Sequence, residues 1–179
     1  MEEQELIKAC RNGERKAQNL LFHKYAPLML SICMRYMKNK EVAEDILVHG
    51  FYKVLTKLDS YKEQGSFEGW IKRIIVNECL MELRKKKSSF LTVAIEEMHH
   101  HPLIEWENTL EYEELLALLD ELPNGYRTVF NMYVIEGFKH KEIAEKLDIS
   151  INTSKSQLIL ARRKLQQLIK KKYRITASA

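Results

Sequence analysis

Glycine and proline are scarce in this 179-residue chain, at six and three. A β protein of this length needs many tight turns, so the shortage favours helices. No run of 18 apolar residues occurs, so no transmembrane helix is expected. The opening residues, MEEQELIKAC, are acidic and amphipathic and do not read as a signal peptide. Cysteine is limited to Cys10, Cys33 and Cys79, an odd number spread through apolar helical patterns. They read as reduced core thiols of a cytoplasmic protein, not as a disulfide frame. A glycine-rich phosphate loop and a nucleophile–base pattern are both missing, so neither an enzymatic centre nor a cofactor is expected. Three adjacent histidines, His99, His100 and His101, cannot all face one metal tetrahedrally, and no nearby cysteine or spaced acid completes a set.

Charge of one sign is also missing in places. Residues 88–122 hold nine acids and no Lys or Arg. From Ile149 to the end there are eight Lys or Arg and no acid. The segment 1–87 is net +5 and 123–179 is net +8, so two basic blocks flank one acidic connector. Segregation of this kind points to two polyanion-binding modules joined by a strap that avoids or mimics nucleic acid. Each half falls below about 100 residues, where a single core is marginal, so each is expected to lean on a partner.

Apolar spacing close to 3.6 places helices along most of the chain. The first runs over 3–11 and stops near Asn12-Gly13. A longer one follows from Glu14 to about Met37, with a kink expected at Pro27. Residues 41–58 resume the pattern with Val42, Ile46, Phe51, Val54 and Leu58. Asp59–Ser66 is a polar loop whose Ser66 is placed to cap the next helix, from Phe67 to about Lys87. Residues 88–109 lose periodicity and read as a linker. Residues 110–121 are amphipathic, Leu122-Pro123-Asn124-Gly125 reads as a turn, and Tyr126–Glu136 forms a helix. That helix turns Val129, Phe130 and Tyr133 inward and ends at Gly137.

The most specific local signal follows. Lys139–Leu147 is a short helix with Ile143, Ala144 and Leu147 inward, and Asp148-Ile149-Ser150 is a tight connection. Asn152 or Thr153 caps a second helix reaching about Lys172, with the stripe Leu158, Ala161, Leu165, Leu168 and Ile169. This is the pattern of a helix-turn-helix, whose second helix enters the DNA major groove. Its exposed face is read as starting with Thr153, Lys155, Ser156 and Gln157, which can bond base edges and phosphates. In the first half, Arg84–Lys87 reads either as a charged helix end or as a phosphate contact. Beside it lies the loop of Tyr61, Lys62, Glu63, Gln64 and Ser66, with Asn77 on the following helix. Aromatics interleaved with polar groups suit single-strand recognition. Phe67 and Trp70 read as core.

Both halves resemble the extracytoplasmic-function (ECF) sigma factors of the sigma-seventy class. The likeness rests on EDILVHGFYKVL at 44–55, LDSY at 58–61, FEGWIKRIIVN at 67–77 and LRKKK at 83–87. In the second half it rests on LPNGYRTVFNMYVIEGFKHKEIAEKLDIS at 122–150, NTSKSQL at 152–158 and ARRKL at 161–165. The resemblance implies an all-α protein of two small domains: a sigma-two domain at 1–87 and a sigma-four domain at 110–179, joined by a flexible acidic linker at 88–109. It implies a factor that binds core RNA polymerase and promoter DNA, without a small-molecule substrate. Glu44, Asp45 and His49 would lie near the polymerase clamp. Tyr61, Lys62, Glu63, Gln64, Ser66 and Asn77 would capture a flipped base of the minus-ten element, with Arg84, Lys85, Lys86 and Lys87 on nearby phosphates. Thr153, Ser154, Lys155, Ser156, Gln157, Ile159, Arg162 and Arg163 would read the minus-thirty-five element. The linker would thread the RNA-exit path, and an anti-sigma factor, often membrane-anchored in such families, would hold the protein inactive. Val48, where the family usually has Gln, and Met81, a frequent Asp, depart from the pattern. A stand-alone helix-turn-helix regulator is the rival reading. It accounts for 123–179 but not for the basic first block or the acidic strap.

Overall fold

The structure is a computed structural model that describes residues 2–85 and 112–173. The chain divides into two compact units, 1–85 and 86–179. Every regular element among the described residues is helical. The linker at 88–109 with its three histidines, and Lys86 and Lys87, lie outside the described residues.

The N-terminal unit contains α1 (Glu3–Arg11), α2 (Arg15–Tyr36), α3 (Lys40–Thr56), a 3₁₀ turn (Leu58–Ser60) and α4 (Phe67–Lys85). Helix α1 has acids in its first turn and Lys8 and Arg11 in its last, the order that complements the helix dipole. It buries Leu6, Ile7 and Cys10 and ends before Gly13, whose φ of +78° few other residues tolerate. Helix α2 is continuous through Pro27. The proline removes one N–H from the ladder, but it sits on the exposed side, where water can satisfy the freed carbonyl. Asn39 caps α3 by accepting the Val42 N–H at 3.0 Å. Ser66 caps α4 as expected, accepting the Gly69 N–H at 3.1 Å.

Helices α2, α3 and α4 pack on one another around Leu21, Met29, Cys33, Phe51, Ile71, Ile75 and Cys79, all nearly without solvent contact. All three cysteines are buried and unbridged. The hydrogen bond with the Cys33 thiol, and then burial, push the Cys79 thiol further from ionisation, in keeping with a core position. Helices α3 and α4 approach closely at Gly50, where a Cβ would stand 2.3 Å from Ile75 Cδ1. Lys53 and Glu78 close one edge of that contact at 2.7 Å.

The C-terminal unit contains α5 (Tyr112–Asp120), α6 (Asn124–Phe130), a π turn (Asn131–Ile135), α7 (His140–Leu147) and α8 (Ile151–Tyr173). Leu118, Leu119, Leu122, Ala161, Leu165 and Leu168 form its core, with Tyr126, Phe130 and Ile169 against it. The expected turn at 122–125 is shorter. Pro123 is the N-cap, and Asn124 and Gly125 already belong to α6, because proline's fixed φ suits a helix entrance. Arg127 is 2% exposed and reaches the exposed carboxylate of Asp120 at 2.7 Å, so the buried charge is paired rather than alone.

Tyr133, expected inward, is on the surface. The π turn takes more residues per turn than an α-helix, which shifts the phase. Asn131 and Met132 therefore take the inward positions, both fully buried. The turn ends as expected at Gly137, with φ +76° and the Phe138 N–H bonded to the Met132 carbonyl.

The approach at Gly50 makes a double-mutant prediction. Gly50→Ala gains about 1 kcal/mol of helix propensity but forces a methyl into a packed isoleucine, at about 1–3 kcal/mol. A net loss of about 1 kcal/mol is expected in urea unfolding. Combining it with Ile75→Val, which removes Cδ1, should recover that loss beyond additivity.

Candidate nucleic-acid and polymerase interfaces

In the C-terminal unit the two helices of the motif meet through a left-handed residue. Asp148 has φ 56° and ψ 49°, and the following Ile149 N–H bonds back to the Ala144 carbonyl at 3.1 Å. Aspartate is among the few side chains that enter this region readily. Ile143, Ala144 and Leu147 face inward, as their spacing requires. Ser150 is the cap of α8, not Asn152 or Thr153. Its Oγ accepts the Thr153 N–H at 2.9 Å, so the helix starts at Ile151 and both expected caps lie inside it.

That earlier start does not alter the helix phase, and the phase sorts the expected reading residues. Ile151, Lys155, Ile159 and Arg162 are exposed along one face. Thr153, Ser156 and Arg163 are half-buried at its margins. Ser154 and Gln157, both expected to read DNA, are buried at 0% and 4%. They lie four residues before Leu158 and Ala161, on the stripe that packs inward. Gln157 fills the space in front of Gly125, where a Cβ would meet its amide at 3.0 Å.

Ser154 bonds instead to His140, whose Nδ1 lies 2.9 Å from its Oγ. The same imidazole stacks on Tyr133 with ring centroids 4.5 Å apart. His140 thus ties the π turn and the start of α7 to the recognition helix. Sequence reasoning missed it, because a histidine opening a helix carries no mark of a partner 14 residues away. Burial, and then the positive charges of Lys155 and Arg162, push its pKa below the ordinary imidazole value.

In the N-terminal unit the loop after the 3₁₀ turn rests on rings. Tyr61 is buried against Phe67 and Trp70, with centroids 5.0 and 5.5 Å away, and Phe67 stacks on Trp70. Phe67 is core as expected, and Trp70 is half-buried. The Tyr61 hydroxyl donates to the Gly65 carbonyl at 2.8 Å. Tyr61 therefore supports the loop and does not offer an open ring face to a base. Lys62, Glu63, Gln64 and Ser66 are exposed, as are Asn77, Arg84 and Lys85 along α4.

On α3, Glu44, Asp45 and His49 are exposed on the face away from the core. They are not a purely polar group. Val48 and Tyr52 stand beside them at 61% and 67% exposure, and Met81 of α4 at 48%. A shallow cavity of about 210 Å³ between α3 and α4 is lined by Asp45, His49, Met81 and Lys85 among others. Tyr52 was not among the residues expected at this surface, although its place off the Ile46–Phe51–Val54 stripe marks it as outward.

Comparison with known proteins agrees with this division. The family model described as Sigma-70 region 2 matches residues 21–89, and that described as Sigma-70, region 4 matches residues 112–165. The ECF RNA polymerase sigma-E factor of Escherichia coli is 27% identical, over 94% of this chain and 97% of that protein. The Haemophilus influenzae sigma-E factor is 24% identical, over 93% and 95%. Among solved structures, the sigma factor RpoE of Bartonella quintana, crystallised with the anti-sigma factor NepR, superposes with a TM-score of 0.53. It is 23% identical and covers 85% of this chain and 96% of its own. With region 2 in its first unit and region 4 in its second, the chain belongs to the sigma-seventy class of RNA polymerase sigma factors, and over nearly its whole length it is similar to ECF members of that class. Its role is to direct RNA polymerase to promoters.

The half-buried imidazole sets a pH dependence. In the unfolded chain His140 titrates near about 6.5, and the folded unit keeps it neutral to lower pH. Its contribution to stability is therefore complete above that value and is lost as pH falls below it. The unfolding midpoint of the C-terminal unit should drop from about pH 7.5 to about pH 5.5, and His140→Gln should flatten that drop.

Proposed function

We propose that the two units read the two promoter elements through the exposed residues described above. The outward face of α8, carrying Lys155, Ile159 and Arg162 without an acid, supports minus-thirty-five recognition and carries the reading. Thr153, Ser156 and Arg163 flank it, while Ser154 and Gln157 act behind it by holding α8 in place. Basic side chains supply phosphate attraction, and the side chains near the helix start supply base contacts. In the N-terminal unit, Lys62, Glu63, Gln64, Ser66 and Asn77 form the minus-ten surface, with Arg84 and Lys85 following phosphates. Tyr61 shapes that surface from beneath. Unstacking costs a few kcal/mol per base, which duplex and polymerase contacts can offset if the extruded base finds a pocket.

Helix α3 docks on the polymerase through Glu44, Asp45 and His49, with Val48, Tyr52 and Met81 adding apolar area to the contact. An apolar centre with a polar rim is the usual build of a protein interface. The acidic linker, with four acids and no Lys or Arg over 88–109, follows the path of RNA on the polymerase. The protein works in the cytoplasm as a binding factor without catalysis of its own. A protein inhibitor of the anti-sigma kind covers these surfaces when the factor is idle, as one accompanies the Bartonella relative.

The deciding experiment adds the purified chain to core RNA polymerase and maps transcripts from a genomic fragment library of its host. Discrete start sites are expected. Tight duplex binding without any polymerase association would instead favour a stand-alone regulator. On a mapped promoter, Lys155→Ala and Arg162→Ala are each expected to weaken holoenzyme binding about tenfold. Each should also make the salt dependence of log K shallower, by roughly 0.9 for every phosphate the wild-type side chain neutralises.

A further inference from the structure

The residue that organises the loop at 58–66 comes from neither the loop nor α4. Arg11, the last residue of α1, lays its side chain across the loop and keeps only 30% of it exposed. Its Nη2 donates to the Tyr61 carbonyl at 2.8 Å and points to the Leu58 carbonyl at 3.5 Å. Nη1 lies 3.6 Å from the Glu63 carboxylate, and Nε 4.0 Å from that of Asp59. One planar fork thus meets four loop residues, a geometry a lysine cannot reproduce.

The loop needs such a tie. Glu63 is left-handed at φ 59°, which costs a non-glycine residue roughly 1 kcal/mol or more, and Gly65 is at φ 95°. Tyr61 is the hinge of the arrangement. Its hydroxyl grips Gly65, and its carbonyl is gripped by Arg11. Helix α1 is itself anchored at its other end, where Glu3 accepts the Tyr25 hydroxyl. The Tyr25 ring meets Phe67 at 5.7 Å, and Phe67 meets Tyr61. The contacts form a closed circuit from α1 through α2 and α4 to the loop and back to α1.

The electrostatics point the same way. Asp59 and Glu63 are exposed acids, at 92% and 57%, on a surface proposed to receive a polyanion. The guanidinium stands between them and offsets a repulsion that would otherwise act on DNA phosphates. Arg11 also precedes the stretch matched by the region 2 family model, which begins at residue 21.

We infer that Arg11 is a positioning residue for base reading: it sets the shape and charge of the minus-ten loop without touching DNA itself. The inference rests on the minus-ten assignment proposed above. The test uses holoenzyme reconstituted from core polymerase and the full chain. It measures binding of fluorescent single-stranded non-template oligonucleotides that carry each of the four bases at the captured position. The wild-type factor is expected to prefer one base. Arg11→Met keeps the aliphatic stem and removes the fork. It should lose about tenfold of that preference, the effect of a charged hydrogen bond, while its affinity for core polymerase stays unchanged. Arg11→Lys should recover part of the preference, because an ammonium can still reach the Tyr61 carbonyl. An unaltered preference in Arg11→Met overturns the inference. So does an equal loss of base preference and polymerase affinity with a lowered melting temperature, which would make Arg11 a general stabiliser of the unit. A wild-type holoenzyme indifferent to the base would overturn the minus-ten assignment together with the inference.

Discussion

A helix assigns every side chain to a face, and in a unit of fewer than 95 residues the inward faces must nearly all be used to close the core. The rest of this protein depends on that constraint. The N-terminal unit closes by packing α2, α3 and α4 until Gly50 lies against Ile75, and the C-terminal unit by packing α5, α6 and α8 around six aliphatic residues. What remains outward is thereby defined. On α3 it is Glu44, Asp45, Val48, His49 and Tyr52, and on α8 it is Lys155, Ile159 and Arg162.

The two units meet the demand for polar work differently. The first holds its loop over a cluster of rings, Tyr25, Phe67, Tyr61 and Trp70, and ties the loop carbonyls with an arginine from α1. Apolar support is rigid, and it leaves the loop's polar side chains free to face outward. The second holds polar groups in and around the motif. His140, Ser154, Asn131, Gln157 and Arg127 lie in or beside its interior. Buried polar groups bond in few geometries and are costly when misplaced, so they fix how α7 and the π turn seat against α8. The tyrosine surrounded by acids follows the same logic in the first unit. Burial, and then the bond to Glu3, push the Tyr25 hydroxyl far above its ordinary pKa, so it stays a donor.

Spacing put most of the expected site residues on outward faces, and the exceptions show what spacing can and cannot do. The stripe Leu158, Ala161 and Leu165 was legible, and one helical turn before its first two members stand Ser154 and Gln157. Ser154 reads as a DNA contact by resemblance and Gln157 as outward, but the phase of that stripe turns both inward, where they are buried at 0% and 4%. The cap of α8 failed for a smaller reason. Ser150, Asn152 and Thr153 are all good caps, and only the backbone path after Asp148 selects Ser150. Tyr133 failed because a π turn leaves no trace in a 3.6-residue pattern. Tyr61 lies in the loop where it was expected but faces inward, since an aromatic beside polar residues reads alike whether it faces outward or toward Trp70.

The order of residues by itself determined that the chain is helical, that its charges separate into basic blocks and an acidic strap, and that a helix-turn-helix lies near its end. These are local or additive properties. Periodicity, caps and net charge need no knowledge of distant contacts. Tertiary structure alone decided which polar residues are scaffolding and which are surface. Arg11 meets a carbonyl 50 residues away, and His140 a hydroxyl 14 residues away. A hydrogen bond is directional and holds over about 3 Å, so which donor finds which acceptor depends on how whole helices cross.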